Sequence, residues 1–268
     1  MKIGILGAAG RMGQMIAREI LSGAHKGVEL AACVDSPQSW ANGKDIGGIL
    51  HLEKPAGIAV TTDKKAAFEK SDVLIDFTAP AATLQHVEFA HLHGKKIVIG
   101  TTGLGDVEKA ALQVAAKKTA VLYSANMSVG VNLLAALVEQ AAQRLSDEYD
   151  IEIFEAHHRH KVDAPSGTAL LLGEAAAKGR GIKLQETMIP ARFGHTGARP
   201  KGAIGMSVFR GGDVIGDHSV TFAADGERLE LAHKASDRGL FAKGALRAAL
   251  WLQNQKPGLY SMRDVLGL

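Results

Sequence analysis

Seven residues near the start of the chain, Gly7-Ala8-Ala9-Gly10-Arg11-Met12-Gly13, stand between an apolar run over residues 2–6 and a helical pattern over residues 14–21. Glycines so placed between a strand and a helix constrain the backbone strongly. Gly7 allows a tight turn, Gly10 lets amides approach a pyrophosphate, and Gly13 lets the helix pack closely on the sheet. A phosphate group then sits at the positive end of that helix. The spacing is G-x-x-G-x-x-G rather than G-x-G-x-x-G, and no Lys-Ser or Lys-Thr follows, which disfavours a nucleoside triphosphate loop. Asp35 closes the second apolar run, where a carboxylate can accept bonds from adenosine ribose hydroxyls. The next residue is Ser36, with no Arg or Lys beside it. Repulsion from Asp35 should therefore favour NADH over NADPH, with dual use open if Arg11 or Lys44 offsets that charge.

The rest of the first half continues the alternation that such a loop requires. Apolar runs at residues 2–6, 28–34, 73–77, 97–99 and 120–123 read as parallel strands, with helices between them, notably over residues 80–93 and 105–117. Residues 36–57, rich in Gly, Pro and Asn, read as an irregular connection. Ligands of open parallel sheets bind at the carboxyl ends of strands, so Phe77, Gly100-Thr101-Thr102 and Ser124-Ala125-Asn126-Met127 join the dinucleotide candidates. After a helix over about 128–145 the pattern changes to consecutive strands at residues 149–156, 187–193, 203–209, 214–223 and 228–233, read as an antiparallel or mixed sheet. Val208, Val220 and Phe222 are candidates to face either its helices or a partner. The expected fold is α/β: a Rossmann-type parallel sheet domain, and a smaller α+β domain with a mixed or antiparallel oligomerisation sheet. The boundaries are 1–126 with 239–268, and 127–238.

Composition excludes several classes of function. A net charge of +3, from 31 Lys and Arg against 28 Asp and Glu, is too small to mark a nucleic-acid binder. The one cysteine, Cys33, cannot form an intrachain disulfide or a thiolate-rich metal site, which suits a reducing compartment. No apolar run approaches the roughly 18 residues of a membrane span. The opening residues break into glycines before a signal-peptide core is complete. The expectation is a cytoplasmic protein whose partner is a small acidic molecule.

Glu155-Ala156-His157-His158-Arg159-His160-Lys161 holds three of eleven histidines within four residues, followed by Val162-Asp163-Ala164-Pro165-Ser166-Gly167-Thr168 and a helix. If that run stayed extended, His157 and Lys161 would stand about 13 Å apart at about 3.3 Å per residue, so joint action on one substrate requires a turn. Ser166 fits a helix cap, and the amides of Gly167 and Thr168 suit a carboxylate. Lys161 can donate a proton or hold a carboxylate, and His157 or His158 can do either. No helical H-x-x-x-H or H-E-x-x-H pattern is present, so no metal is expected.

GAAGRMG at residues 7–13 together with EAHHRHKVDAPSGTA at 155–169 resembles the 4-hydroxy-tetrahydrodipicolinate reductase (dihydrodipicolinate reductase) family. The resemblance extends through IDFTAP at 75–80, VIGTTG at 98–103, SANMSVGVN at 124–132, GHTGAR at 194–199 and HKASDR at 233–238. It implies NAD(P)H-dependent reduction, with loss of water, of 4-hydroxy-tetrahydrodipicolinate to tetrahydrodipicolinate in lysine and diaminopimelate biosynthesis. By the same resemblance His157 is a proton donor or acceptor and Lys161 a proton donor, while His158, Gly167, Thr168 and Thr102 bind the dicarboxylate substrate. The dinucleotide falls on residues 7–12, Asp35, 100–102 and 124–127, to which the reading of the residues themselves adds Gly13, Ser36 and Phe77, and the resemblance implies a homotetramer. Two other functions fit the residues less well. An aldehyde dehydrogenase needs a nucleophilic cysteine in its substrate half, whereas Cys33 lies in a strand of the first. A non-catalytic NAD-binding sensor needs no cluster at 157–161.

Overall fold

Alternation of strand and helix runs from the first residues in the computed structural model, which describes residues 1–268. In chain order the elements are β1 (Lys2–Leu6), α1 (Arg11–Leu21), β2 (Glu29–Val34), α2 (Ile46–Ile49), β3 (Val60–Thr61), α3 (Lys64–Lys70), β4 (Val73–Asp76), α4 (Pro80–His93), β5 (Lys96–Ile99), α5 (Asp106–Ala116) and β6 (Ala120–Tyr123). They continue with α6 (Val129–Arg144), β7 (Asp150–His157), α7 (Gly167–Arg180), α8 (Leu184–Thr187), β8 (Met188–Ile189), β9 (Ile204–Arg210), β10 (Gly216–Ala224), β11 (Glu227–Ala235), α9 (Gly239–Leu252), β12 (Gly258–Tyr260) and α10 (Met262–Leu266). The chain divides into two units, Met1–Val129 with Gly239–Leu268, and Gly130–Arg238.

The first unit is built on seven parallel strands in the order β12-β6-β5-β4-β1-β2-β3. Both faces are covered, so β4 is buried at every residue and its sequence shows no alternation. Ile16 and Ile20 of α1 and Leu246 and Leu252 of α9 share one core with Ile3 and Ile5. Phe68 of α3, Val87 of α4 and Leu112 of α5 share another with Leu6, Leu74 and Ile97. Strand order reverses at β1, so the crevice between the carboxyl ends of β1 and β4 is the place where this topology receives ligands. Within the stretch read as irregular, Asp45 organises the backbone. Its carboxylate accepts the amides of Gly47, Ala56 and Ile58 at 2.8–2.9 Å, which caps the short α2.

The second unit carries five strands in the order β11-β10-β7-β9-β8. β10 runs antiparallel to β7 and β11, whereas β9 runs parallel to β7 and β8, so the sheet is mixed. Side chains alternate along β7: Ile151 and Ile153 pack with Leu134 and Val138 of α6 and with Leu172 and Ala176 of α7. Val220 and Phe222 are fully buried in that core, whereas Val208 is exposed. The strand expected over 187–193 is only Met188–Ile189, and this corrects the sequence reading. Pro190 has no N–H for the ladder. The segment beyond it is instead tied down by Arg192 and Arg199, which bond the Glu152 carboxylate at 2.8–2.9 Å. No helix is long and apolar enough to cross a membrane.

Candidate active site

In the first unit the glycine loop is shaped by contacts that exclude side chains. Gly7 has φ of 82°, and a Cβ there would lie 2.7 Å from the Phe77 carbonyl oxygen. A Cβ on Gly13 would lie 2.1 Å from the Gly7 carbonyl oxygen and 2.7 Å from the Ala8 Cα. The loop is held to β2 by the amides of Gly7 and Ala8, both donating to the Val34 carbonyl at 2.9 and 3.0 Å. The first turn of α1 carries no acidic residue, which leaves its positive end uncompensated by the helix itself. Asp35 reaches back to the loop. Its carboxylate accepts the Ala9 amide at 2.7 Å and the Ser36 amide at 2.8 Å.

Two cavities open on this loop. One, of about 600 Å³, is lined by Gly7, Gly10, Asp35, Ser36, Thr62, Lys64, Phe77, Thr78, Gln85 and His86 among others. The second, of about 460 Å³, is lined by Gly10, Arg11, Met12, Phe77, Thr78, Gly100, Thr101, Thr102, Ala125, Asn126, Met127 and Phe241. Gly10, Phe77 and Thr78 border both. The Phe77 ring is fixed against Gly100, where a Cβ would lie 2.2 Å from it. Beneath the floor runs a buried polar chain. The Asp76 carboxylate accepts the Thr78 hydroxyl at 2.6 Å and lies 3.0 Å from His86 Nδ1, while Thr101 Oγ1 accepts the Thr78 amide at 3.0 Å and the Thr83 hydroxyl at 2.8 Å. A glycine cradle facing a carboxylate, with two adjoining cavities, fits a dinucleotide.

In the second unit the alternation of β7 puts Glu155 and His157 on the helix side of the sheet, where both are buried. Such a carboxylate must be fully bonded to stay ionised. Glu155 is: its Oε2 takes His157 Nδ1 at 2.5 Å, its Oε1 takes the Ser166 amide at 2.9 Å, and Arg210 bonds both oxygens at 2.8 Å. Burial pushes the Glu155 carboxyl up, but the bonds from Arg210, His157 and Ser166 outweigh it and hold the group below the usual carboxylate range. Because the ionised carboxylate only accepts, His157 carries its proton on Nδ1 when neutral, which leaves Nε2 as an acceptor.

The turn needed between His157 and Lys161 is present: β7 ends at His157, and the Lys161 amide donates to the His158 carbonyl at 3.1 Å. The Lys161 ammonium is bonded to both oxygens of Asp163 at 2.8 and 2.9 Å, and that bond holds the Asp163 carboxyl below its ordinary range. Arg210 also donates to the Asp163 carbonyl at 2.7 Å, so one guanidinium staples the turn to Glu155. Ser166 caps α7, accepting the Ala169 amide at 3.1 Å, and its hydroxyl lies 3.1 Å from His218 Nε2. Burial, then the neighbouring His157, depress His218 to about 4, and its ring meets His157 edge-on at 5.1 Å between centroids. Burial, then Arg238 and the cations around it, also lower the His158 imidazole. No group of three or more His, Cys, Asp or Glu side chains is placed to hold a metal ion.

Comparison with known proteins decides the family. The model of the dihydrodipicolinate reductase N-terminus matches residues 1–127, and that of the dihydrodipicolinate reductase C-terminus matches residues 130–266. The chain belongs to the dihydrodipicolinate reductase family. A 4-hydroxy-tetrahydrodipicolinate reductase of Rhizobium rhizogenes is 54% identical over 269 residues, covering all of this chain and 97% of that one. Another, of Cupriavidus metallidurans, is 52% identical over the full length of both. The fold is also that of a dipicolinate-bound dihydrodipicolinate reductase from Paenisporosarcina sp. TG-14, with a TM-score of 0.77 over 98% of each chain at 22% identity.

Among the family positions read from sequence, Gly7, Gly10, Asp35, Ser36 and Phe77 border the larger cavity. Arg11, Met12, Gly100, Thr101, Thr102, Ala125, Asn126 and Met127 border the smaller. Four others shape the walls instead: Ala8 is fully buried, Ala9 gives its amide to Asp35, Gly13 packs on Gly7, and Ser124 donates its hydroxyl to the Asn126 carbonyl at 2.7 Å. Neither cation expected to offset Asp35 lines its cavity. Arg11 borders the smaller one, and the Lys44 ammonium lies 4.7 Å from the centroid of the Trp40 ring. Glu155, Asp163, Ser166, Arg210 and His218 make up the support of the basic turn in this family member. Arg210 could have been found only from strand pairing, since it ends β9 directly opposite His157.

Proposed function

We propose that this chain reduces 4-hydroxy-tetrahydrodipicolinate to tetrahydrodipicolinate with loss of water, the lysine and diaminopimelate pathway step for which its relatives are named. Family membership over nearly the whole chain carries this reading. The unit of residues 1–129 and 239–268 takes NADH or NADPH, and residues 130–238 take the dicarboxylate and assemble the oligomer. The dinucleotide supplies a hydride when bound. Gly10, Arg11 and Met12 hold its pyrophosphate, Asp35 and Ser36 its adenosine ribose, and Phe77, residues 100–102 and 124–127 its nicotinamide half. Gly167 and Thr168 at the start of α7 hold one substrate carboxylate, with His158 and Thr102 as further contacts.

Hydride addition to a conjugated imine leaves an electron pair on the ring that a proton must quench, so a fixed cationic donor lowers the barrier. Lys161, steadied by Asp163, is that donor. His157, with Nδ1 engaged by Glu155, orients the substrate or relays the proton through Nε2. The open face of the second unit's sheet exposes Phe154 and Phe209, which supports a homotetramer assembled through that face. A cytoplasmic location agrees with a buried, unpaired Cys33. The test is initial-rate oxidation of NADH and NADPH with freshly generated hydroxy-tetrahydrodipicolinate, for the parent and Lys161→Ala. The expected result is substrate-dependent oxidation in the parent and a loss of 10²-fold or more in kcat in the variant, with NADH affinity retained. A folded parent inert with both cofactors would overturn the reading.

A further inference from the structure

The cavity of about 600 Å³ beside Asp35 contains a cation from a distant part of the sequence. Lys64, the first residue of α3, is the single Lys or Arg among its lining residues. The Lys64 ammonium donates to the Gln85 side-chain oxygen on α4 at 2.7 Å. An amide neutralises no charge, so the full positive charge of Lys64 faces the cavity that holds Asp35, Ser36 and Thr62. The Asp35 carboxylate is meanwhile turned to the Ala9 and Ser36 amides, which offset part of its own charge.

We propose that Lys64, with the hydroxyls of Ser36 and Thr62, receives the 2′-phosphate of NADPH, so that this chain accepts both dinucleotides through a lysine on α3 rather than a basic residue after Asp35. The inference rests on the proposed reading of this cavity as the seat of the adenosine half. A phosphate monoester brings a charge of about −1.5 to −2, which Asp35 repels and a mobile ammonium attracts. Leaving an amide partner for a phosphate gives up a neutral hydrogen bond and gains a charge-assisted one. NADH brings only hydroxyls to the same place and gains less from Lys64.

The experiment is calorimetric titration of NADH and NADPH, without substrate, into the parent, Lys64→Ala and Lys64→Gln. The ratio of the NADPH to the NADH dissociation constant is expected to rise about tenfold in both variants, equivalent to about 1.4 kcal/mol. A rise of threefold or more supports the proposal, and a smaller change overturns it while leaving the cofactor reading intact. Failure of the folded parent to bind either dinucleotide overturns both. Lys64→Gln keeps the polar stem at the start of α3, so a ratio is measurable if the alanine variant is unstable.

Discussion

Glu155 holds four groups at once: an imidazole, a backbone amide and the two terminal nitrogens of Arg210. The arrangement makes the support of the basic turn sensitive to acid through a neighbour that the sequence did not single out, His218. His218, depressed to about 4 by burial, bonds Ser166 Oγ through Nε2, and that hydroxyl already accepts the Ala169 amide. The hydroxyl keeps a second lone pair, so its bond to Nε2 is available in either protonation state, and it is burial that resists a further proton on the ring. Below a pH of about 6.5 the unfolded chain binds a proton that the native ring refuses, so the stability contributed by this group is complete above that pH. It is lost as the pH falls to about 4, by about 3 kcal/mol in all. The depressed carboxyl of Glu155 adds a loss of the same sign as acid reaches the carboxylate range. Urea denaturation from pH 7.5 to 4.5 should therefore show stability falling more steeply for the parent than for His218→Gln. Parallel slopes would sink the assignment. At this scale the basic cluster that holds His157 and Lys161 was visible in sequence, because residue type and density need no fold to be seen. Their supports Arg210 and His218 were not, because only strand pairing brings residues 53 and 61 positions away to His157.

The unit formed by β1, the glycine loop and α1 was the most legible, because steric exclusion leaves a mark in sequence. Gly7 and Gly13 occupy sites where a Cβ would strike backbone. Elements of two to seven residues, such as β3, α3 and β12, were not legible, since hydrophobic periodicity needs a longer window to register. The 187–193 reading failed for a related reason: an apolar run was counted through Pro190, where the ladder ends. Steric exclusion makes a graded prediction. Gly13→Ala places a methyl 2.1 Å from the Gly7 carbonyl oxygen, and α1 must shift away from the loop. The expected cost is about 1–3 kcal/mol in stability, with dinucleotide affinity falling at the same time. Gly48→Ala is the control. That glycine lies in α2 with nothing within 4 Å of the built Cβ, and the substitution should be neutral or stabilising by up to about 1 kcal/mol. Thermal melts and NADH titration of both variants test this, and equal behaviour would show that close approach at Gly13 is not what the position requires.

For the whole molecule, the order of strands follows from chemistry that a sequence carries only in part. Continuous burial along β4 and over Ile97, Val98 and Ile99 of β5 marks a sheet covered on both sides, whereas β10 alternates buried and half-buried residues over most of its length and so marks a sheet covered on one. That pattern revealed two kinds of sheet but not which strands neighbour β7, and pairing decides the identity of the open face. Ile151, Ile153, Val220 and Phe222 point to the helices, so the pleat turns Phe154 and Phe209 to the other side, 44% and 47% exposed. Residues aligned with them there include Ser207, Ser219 and Thr221, which β7 and its neighbours present at the same level. Exposed aromatic side chains among the polar and charged residues of that sheet face, Glu152 and Glu230 included, suit burial against another copy, and a closed symmetric assembly leaves none of them wet. Replacing Phe154 with Glu puts a charge at the middle of that face without touching the core behind it. If the proposed homotetramer assembles through this face, the expected outcome is a mass below the parent's in light scattering coupled to gel filtration, with far-ultraviolet circular dichroism unchanged. A variant that keeps the parent mass would place assembly elsewhere on the molecule and leave Phe154 and Phe209 as ordinary surface residues.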